Sequence, residues 1–139
     1  MLHKSDRCKE DLKEYLLDKS PIGVVFQPFL QKLNLANEVR LFVYQGNLVA
    51  VSAIDEPNNH LDKEELLRIK SYVGNLTRLN RCYPNYVAGL CVLGPDEIIF
   101  IEINPYDPDI TESFLFDWEE DINILFADVS PEVPAYRFE

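Results

Sequence analysis

Glu38-Val39-Arg40-Leu41-Phe42-Val43-Tyr44-Gln45-Gly46-Asn47-Leu48-Val49-Ala50-Val51 is the stretch that decides the fold. Glu38, Arg40, Phe42 and Tyr44 alternate with Val39, Leu41 and Val43, the period of two that separates the faces of a β-strand. Gln45-Gly46-Asn47 supplies residues that tolerate positive φ, and Leu48 to Val51 return as a partner strand. Downstream, 55–60 is a polar loop dense in turn formers. From Leu61 to about Leu79 the pattern is an amphipathic helix, with Leu66, Ile69, Tyr72, Val73 and Leu76 as its apolar stripe. Asp62 is its expected N-cap and Glu65 sits at the capping-box position. Tyr86 to Val92 and Ile98 to Ile103 read as two more strands joined by a turn over 93–97. After Pro105 the chain reads as irregular, with Phe114, Leu115, Phe116 and Trp118 clustered and a final short strand expected at Ile122, Ile124, Leu125 and Phe126. Upstream, Leu12, Tyr15 and Leu16 recur at helical spacing up to Ser20-Pro21, and 22–30 is a short apolar strand that Pro28 confines to an edge. The sum is an α+β fold, mainly an antiparallel sheet with two flanking helices, in a single domain over 1–139.

Composition narrows the class. The 139 residues are 47% apolar, enough for one core without disulfide or metal staples. No apolar run reaches the ~18 residues of a membrane span, and the polar opening shows no secretory signal, so a cytoplasmic protein is expected. Cys8, Cys82 and Cys91 are an odd, widely spaced set that fits free and mostly buried thiols. The net charge of −11 argues against nucleic acid as a partner. Its distribution is uneven: residues 96–139 hold thirteen acids and one base, Arg137, while residues 1–95 are nearly balanced. That last third reads as a solvated surface, a cation site or a docking face for a basic partner.

Two constellations can carry chemistry. In Ile101-Glu102-Ile103-Asn104-Pro105 the strand period sets Glu102 and Asn104 on one side, an acid and a carboxamide two residues apart. Such a pair is a hard-oxygen half-site for Mg²⁺ or an ordinary half-exposed strand face. Arg40 shares a face with Glu38, as a fork for phosphate or as part of a surface charge ladder.

The order of motifs resembles the cell division cycle protein 123 family, a branch of the ATP-grasp superfamily. Leu16-Leu17 and Ser20 resemble its Leu-Leu-x-x-Ser helix end, and 38–43 with 46–52 resemble its Glu-Phe-Arg-Cys-Phe-Val hairpin and return strand. Ile101 to Tyr106 resembles its Ile-Asp-Phe-Asn-Pro-Phe strand end. Thr111 to Glu120 resembles its Thr-Asp-Ser-Leu-Leu-Phe-x-Trp-Glu-Glu segment, with the lone Trp in register. The resemblance implies the C-terminal portion of an ATP-grasp domain, with Mg²⁺ and ATP as cofactors. Glu102 and Asn104 would be metal ligands, Arg40 a nucleotide contact, and Phe26, Gln27 and Phe29 part of the hinge that meets adenine.

Departures from the family pattern set the functional expectation. Gly89 stands where the family has another metal-binding Asp, and Ala53-Ile54-Asp55 replaces its Gln-Arg-Asp. The half that supplies phosphate-covering Lys residues and a Gly-rich loop is expected to be absent. Without that wall the phosphates meet solvent, where a close ion pair weakens from roughly 4 to about 1 kcal/mol. The expectation is therefore a non-catalytic, truncated relative that binds protein, with weak or lost Mg²⁺–ATP binding. The partner implied by the resemblance is translation initiation factor two, and a homodimer or a separate half-domain would equally shield the exposed surface. The alternative is the C-terminal half of a split ATP-grasp ligase or other ATP-dependent enzyme.

Overall fold

A computed structural model describes residues 13, 37–54, 60–94 and 97–138. The backbone groups into two compact units, Met1–Leu30 and Gln31–Glu139, and every described residue except Lys13 belongs to the second. The expected helix before Ser20, the strand over 22–30 and the residues Phe26, Gln27 and Phe29 lie outside the described residues.

Strands β1 (Glu38–Tyr44) and β2 (Asn47–Ala53) form the expected hairpin. Its turn has two residues, Gln45 and Gly46, both at positive φ (50° and 74°), the backbone whose twist matches that of the flanking strands. Asn85 Oδ1 accepts from the Gln45 N–H at 2.7 Å and Pro84 O accepts from that of Gly46 at 2.7 Å, so the turn is tied to the next hairpin. That hairpin is β3 (Tyr86–Gly94) with β4 (Glu97–Pro105). A fifth strand, β5 (Ala135–Arg137), pairs parallel to β2. The sheet order is β4-β3-β1-β2-β5, antiparallel except at its last pair.

Helix α1 (Lys63–Asn75) covers one face. Its start follows the sequence: Asp62 Oδ1 accepts from the Glu65 N–H at 2.8 Å, and Glu65 Oε2 accepts from the Asp62 N–H at 2.9 Å. Leu66, Ile69 and Val73 pack on Val39, Leu41, Val51, Ala88 and Leu90, a dry aliphatic layer in which each large side chain contributes about 1.5–3 kcal/mol. The helix does not run on to Leu79. It breaks at Leu76 (ψ 46°), and a short α2 (Thr77–Cys82) follows. The Val73 carbonyl there accepts from the Leu76 N–H at 3.0 Å and also from the Asn80 amide at 2.8 Å, which in turn accepts from Tyr86 Oη at 2.8 Å.

Residues 106–127 supply the cover of the other face. Phe42, Val87, Phe116 and Leu125 are buried there, with Tyr44, Tyr106, Trp118 and Phe126 packed around them at centroid separations of 5.0–6.4 Å. Instead of a final strand at Ile122 to Phe126 there is one helical turn, α3 (Ile122–Leu125). Within it Leu125 is fully buried and Ile122 is exposed. Of the thiols, Cys91 is buried as expected, whereas Cys82 is exposed. Among the described residues no helix is long and apolar enough to cross a membrane.

Candidate functional site

The register aligns Glu102, Gly89, Arg40, Ser52 and Arg137 in one row across all five strands. Arg40 and Glu102 therefore stand on strands separated by β3, a gap of about 9.6 Å between backbones. They meet because the residue between them has no side chain. A Cβ on Gly89 would lie 3.3 Å from Glu102 Cγ, 3.4 Å from Arg40 Nη1 and 3.5 Å from Glu38 Oε1. Over this notch Arg40 Nη1 donates to Glu102 Oε1 at 2.6 Å.

Asn104 joins the same oxygen. Its Nδ2 donates to Glu102 Oε1 at 3.1 Å, so acid and amide share one environment, as the strand period requires. The Arg40 side chain is 10% exposed and that of Glu102 47%, so the pair is anchored in the sheet at one end and wet at the other. The Phe114 ring lies over the guanidinium at 4.6 Å from its centroid, and Arg40 Nε is buried without a hydrogen-bond partner. Phe114 adopts a left-handed backbone (φ 56°), an uncommon state for an aromatic residue, to place that ring. Burial holds the Glu38 carboxyl above the usual carboxylate range; the Arg40 charge opposes the rise and the Glu102 charge adds to it.

Phe114, Leu115 and Phe116 run along the row, so the aromatic block is part of the site. The Leu115 N–H donates to Ser52 Oγ at 3.2 Å. Phe116 lies 4.5 Å from the Arg137 guanidinium, which grips Asp121 through two bonds of 2.6 Å and donates to Leu115 O at 3.0 Å. Burial alone would raise the Asp121 pKa. The hydrogen bonds from Arg137 and from the Asp117 N–H, with the Arg137 charge, outweigh it and hold the carboxyl below the usual range. Periodicity alone does not pair Arg40 with Glu102 or Arg137 with Asp121, because both pairs depend on strand order. A glycine inside a strand is the one local sign of such a close approach.

The donor set does not suit a divalent metal as it stands. Glu102 Oε1 already accepts from a guanidinium and an amide N–H, Asn104 turns its nitrogen to the acid, and Gly89 offers no ligand. Among the described residues no group of three His, Cys, Asp or Glu side chains converges to hold one.

Residues 1–136 match the D123 family. The chain belongs to the D123 family. Two solved structures from Schizosaccharomyces pombe share its architecture. C-terminally truncated Cdc123 matches with a TM-score of 0.65 at 22% identity, covering 99% of this chain and 58% of the other. Cdc123 itself matches at 0.62 and 22%, covering 99% and 57%. The chain thus spans under two thirds of the length of either, and identity at that level carries the fold alone. A comparison with curated proteins finds no significant match. In this D123 family member, the block from Thr111 to Glu120, whose motif carries the lone Trp, is the one laid across the polar row. Trp118 Nε1 fixes it by donating to Thr111 O at 2.9 Å, and Thr111 Oγ1 donates to Pro105 O at 2.7 Å.

Proposed function

We propose that this D123 family member is a non-catalytic, protein-binding assembly factor whose affinity for Mg²⁺–ATP is millimolar or weaker. The observation that carries the reading is the surface of residues 107–129. Ile110, Ile122 and Val129 are 68%, 52% and 79% exposed, the three most exposed large aliphatic side chains among the described residues. They lie in the acidic third of the chain, whose single base, Arg137, is engaged by Asp121. Aliphatic side chains among carboxylates fit a partner that offers apolar contact inside a basic rim. The cell division cycle protein 123 resemblance points to eukaryotic translation initiation factor two as that partner.

The chemical side of the reading rests on the row. Catalysis in a nucleotide site depends on preorganised charge and excluded water. Here the strand-end acid is half-exposed and already paired, and glycine stands at the position of a further acid. Nothing in that donor set supports a reaction step, so the reading favours binding over catalysis.

The test is co-elution of the full chain with purified translation initiation factor two at low and high salt. The expected result is a complex that weakens as ionic strength rises and that Ile122→Glu disrupts. No complex at low salt overturns the partner, and a complex indifferent to salt overturns the electrostatic part.

A further inference from the structure

Two carboxylates and one guanidinium converge over Gly89. Glu38 Oε1, Arg40 Nη1 and the Glu102 side chain all lie within 3.5 Å of the position that a Cβ would fill. We propose that Arg40 is the resident cation of this site: its guanidinium stands over Gly89 and holds the Glu102 oxygen, in the space a divalent metal would need, and so excludes one. This deepens the low nucleotide affinity proposed above. The test uses metal without nucleotide, so that the two readings fail separately.

Three observations carry it. First, the space is taken. An acid at position 89 would project into the volume that Nη1 occupies, so the glycine is what lets the guanidinium reach across β3 to Glu102. Second, the oxygen is taken. For a cation to reach Glu102 Oε1, the 2.6 Å bond from Arg40 and the 3.1 Å bond from Asn104 must both break. Third, the guanidinium has no easy retreat. Its side chain is nine-tenths buried under the Phe114 ring, and Nε has no hydrogen-bond partner. A displaced Arg40 would be a buried charge without its counter-ion, which costs more than the pair it left. A metal ion therefore competes with a charge that the fold already holds in place.

Removing Arg40 should then open the space over Gly89 and the side of Glu102 Oε1 that the guanidinium holds, where a divalent ion can enter. The experiment titrates Mn²⁺ against the full chain, following the free-ion electron paramagnetic resonance signal and the melting temperature in chelator and in Mn²⁺. Wild type, Arg40→Gln and Glu102→Gln are compared. The expected result is no specific Mn²⁺ uptake and an unmoved melting temperature for wild type. Arg40→Gln should gain affinity by about tenfold or more and recover part of its lost melting temperature in Mn²⁺. Wild-type uptake that Glu102→Gln abolishes overturns the proposal, as does a folded Arg40→Gln that takes up no Mn²⁺. If Arg40→Gln is unfolded in chelator, refolding on Mn²⁺ addition supports the proposal, and failure in both media overturns it.

Discussion

Two arginine–carboxylate pairs lie in one row of the sheet, on either side of Ser52, and they are built differently. Each guanidinium lies over a phenylalanine, Arg40 over Phe114 at 4.6 Å and Arg137 over Phe116 at 4.5 Å. Arg137 meets a carboxylate that is 10% exposed, through a fork of two bonds, and also holds Leu115 O. Arg40 meets a carboxylate that is 47% exposed, through one bond, and leaves Nε unpaired. In the first pair the acid is buried and the donors are used, which is how a fold locks a chain segment to a sheet edge. In the second the base is buried and the acid is wet, which leaves charge facing solvent. Similar residues in one register row thus serve structure at β5 and present a site at β4.

The largest effect should come from breaking the locked pair. Asp121→Ala removes both bonds from Arg137 and the acceptor for the Asp117 N–H, which lies at 2.8 Å. A buried pair broken on one side costs about 3–5 kcal/mol, and the partial exposure of Arg137 brings the expectation to about 3 kcal/mol. Urea unfolding of the variant and the parent measures it, and a loss below ~1 kcal/mol would make the two pairs equivalent.

The same acid sets a pH signature. Its folded pKa lies below the unfolded value of about 3.9, so the native state binds this proton less readily than the unfolded chain. The stabilisation from Asp121 is therefore fully present above about pH 4 and is lost as pH falls through the folded value. Denaturant midpoints between about pH 5 and pH 2 should fall more steeply in wild type than in Asp121→Asn. Parallel profiles would remove Asp121 as the cause.

Glu102→Gln tests the open pair and should cost far less. Solvent screens the half-exposed carboxylate, Gln keeps an oxygen that can accept from Arg40, and Glu38 still faces the guanidinium, so the expected loss is under about 1 kcal/mol, with the melting curve keeping its shape. A loss comparable to that of Asp121→Ala would show that the site is a structural lock as well. That result would undo the division of labour between the two ends of the row.

The alternation of Glu38 to Tyr44 with its Gln45-Gly46 turn, the Asp62 cap with Glu65, and the shared side of Glu102 and Asn104 were legible because each is a local consequence of backbone period or capping. The break at Leu76 was not, because the bond that spans it comes from the Asn80 side chain, whose partner Tyr86 lies on another element. The turn of α3 is four residues long, too short for a 3.6-residue period to show, so the aliphatic density of Ile122 to Phe126 reads as a strand. β5 is three residues long, too short for any period to register. The Arg40–Glu102 pair needed the order β4-β3-β1, which no local pattern states. Gly89 was legible as a departure from the family pattern, but what fills its space came only from the sheet.

The smallest expected effects lie in the two aromatic covers, and they sharpen the comparison most finely. Phe114→Leu and Phe116→Leu each keep apolar area while removing the ring face from an arginine. Cation–π attraction is worth about 0.5–1 kcal/mol at exposed sites and about 2 when the cation is desolvated. The Arg40 side chain is 10% exposed and that of Arg137 38%, at nearly equal distances from their rings. Double-mutant cycles with Arg40→Met and Arg137→Met should therefore give a larger coupling for Phe114 with Arg40 than for Phe116 with Arg137, by about 0.5–1 kcal/mol. Leucine also enters the left-handed backbone at position 114 no more easily than phenylalanine, so strain cancels from the comparison. Equal couplings would mean that burial of Arg40 does not strengthen its hold on Phe114.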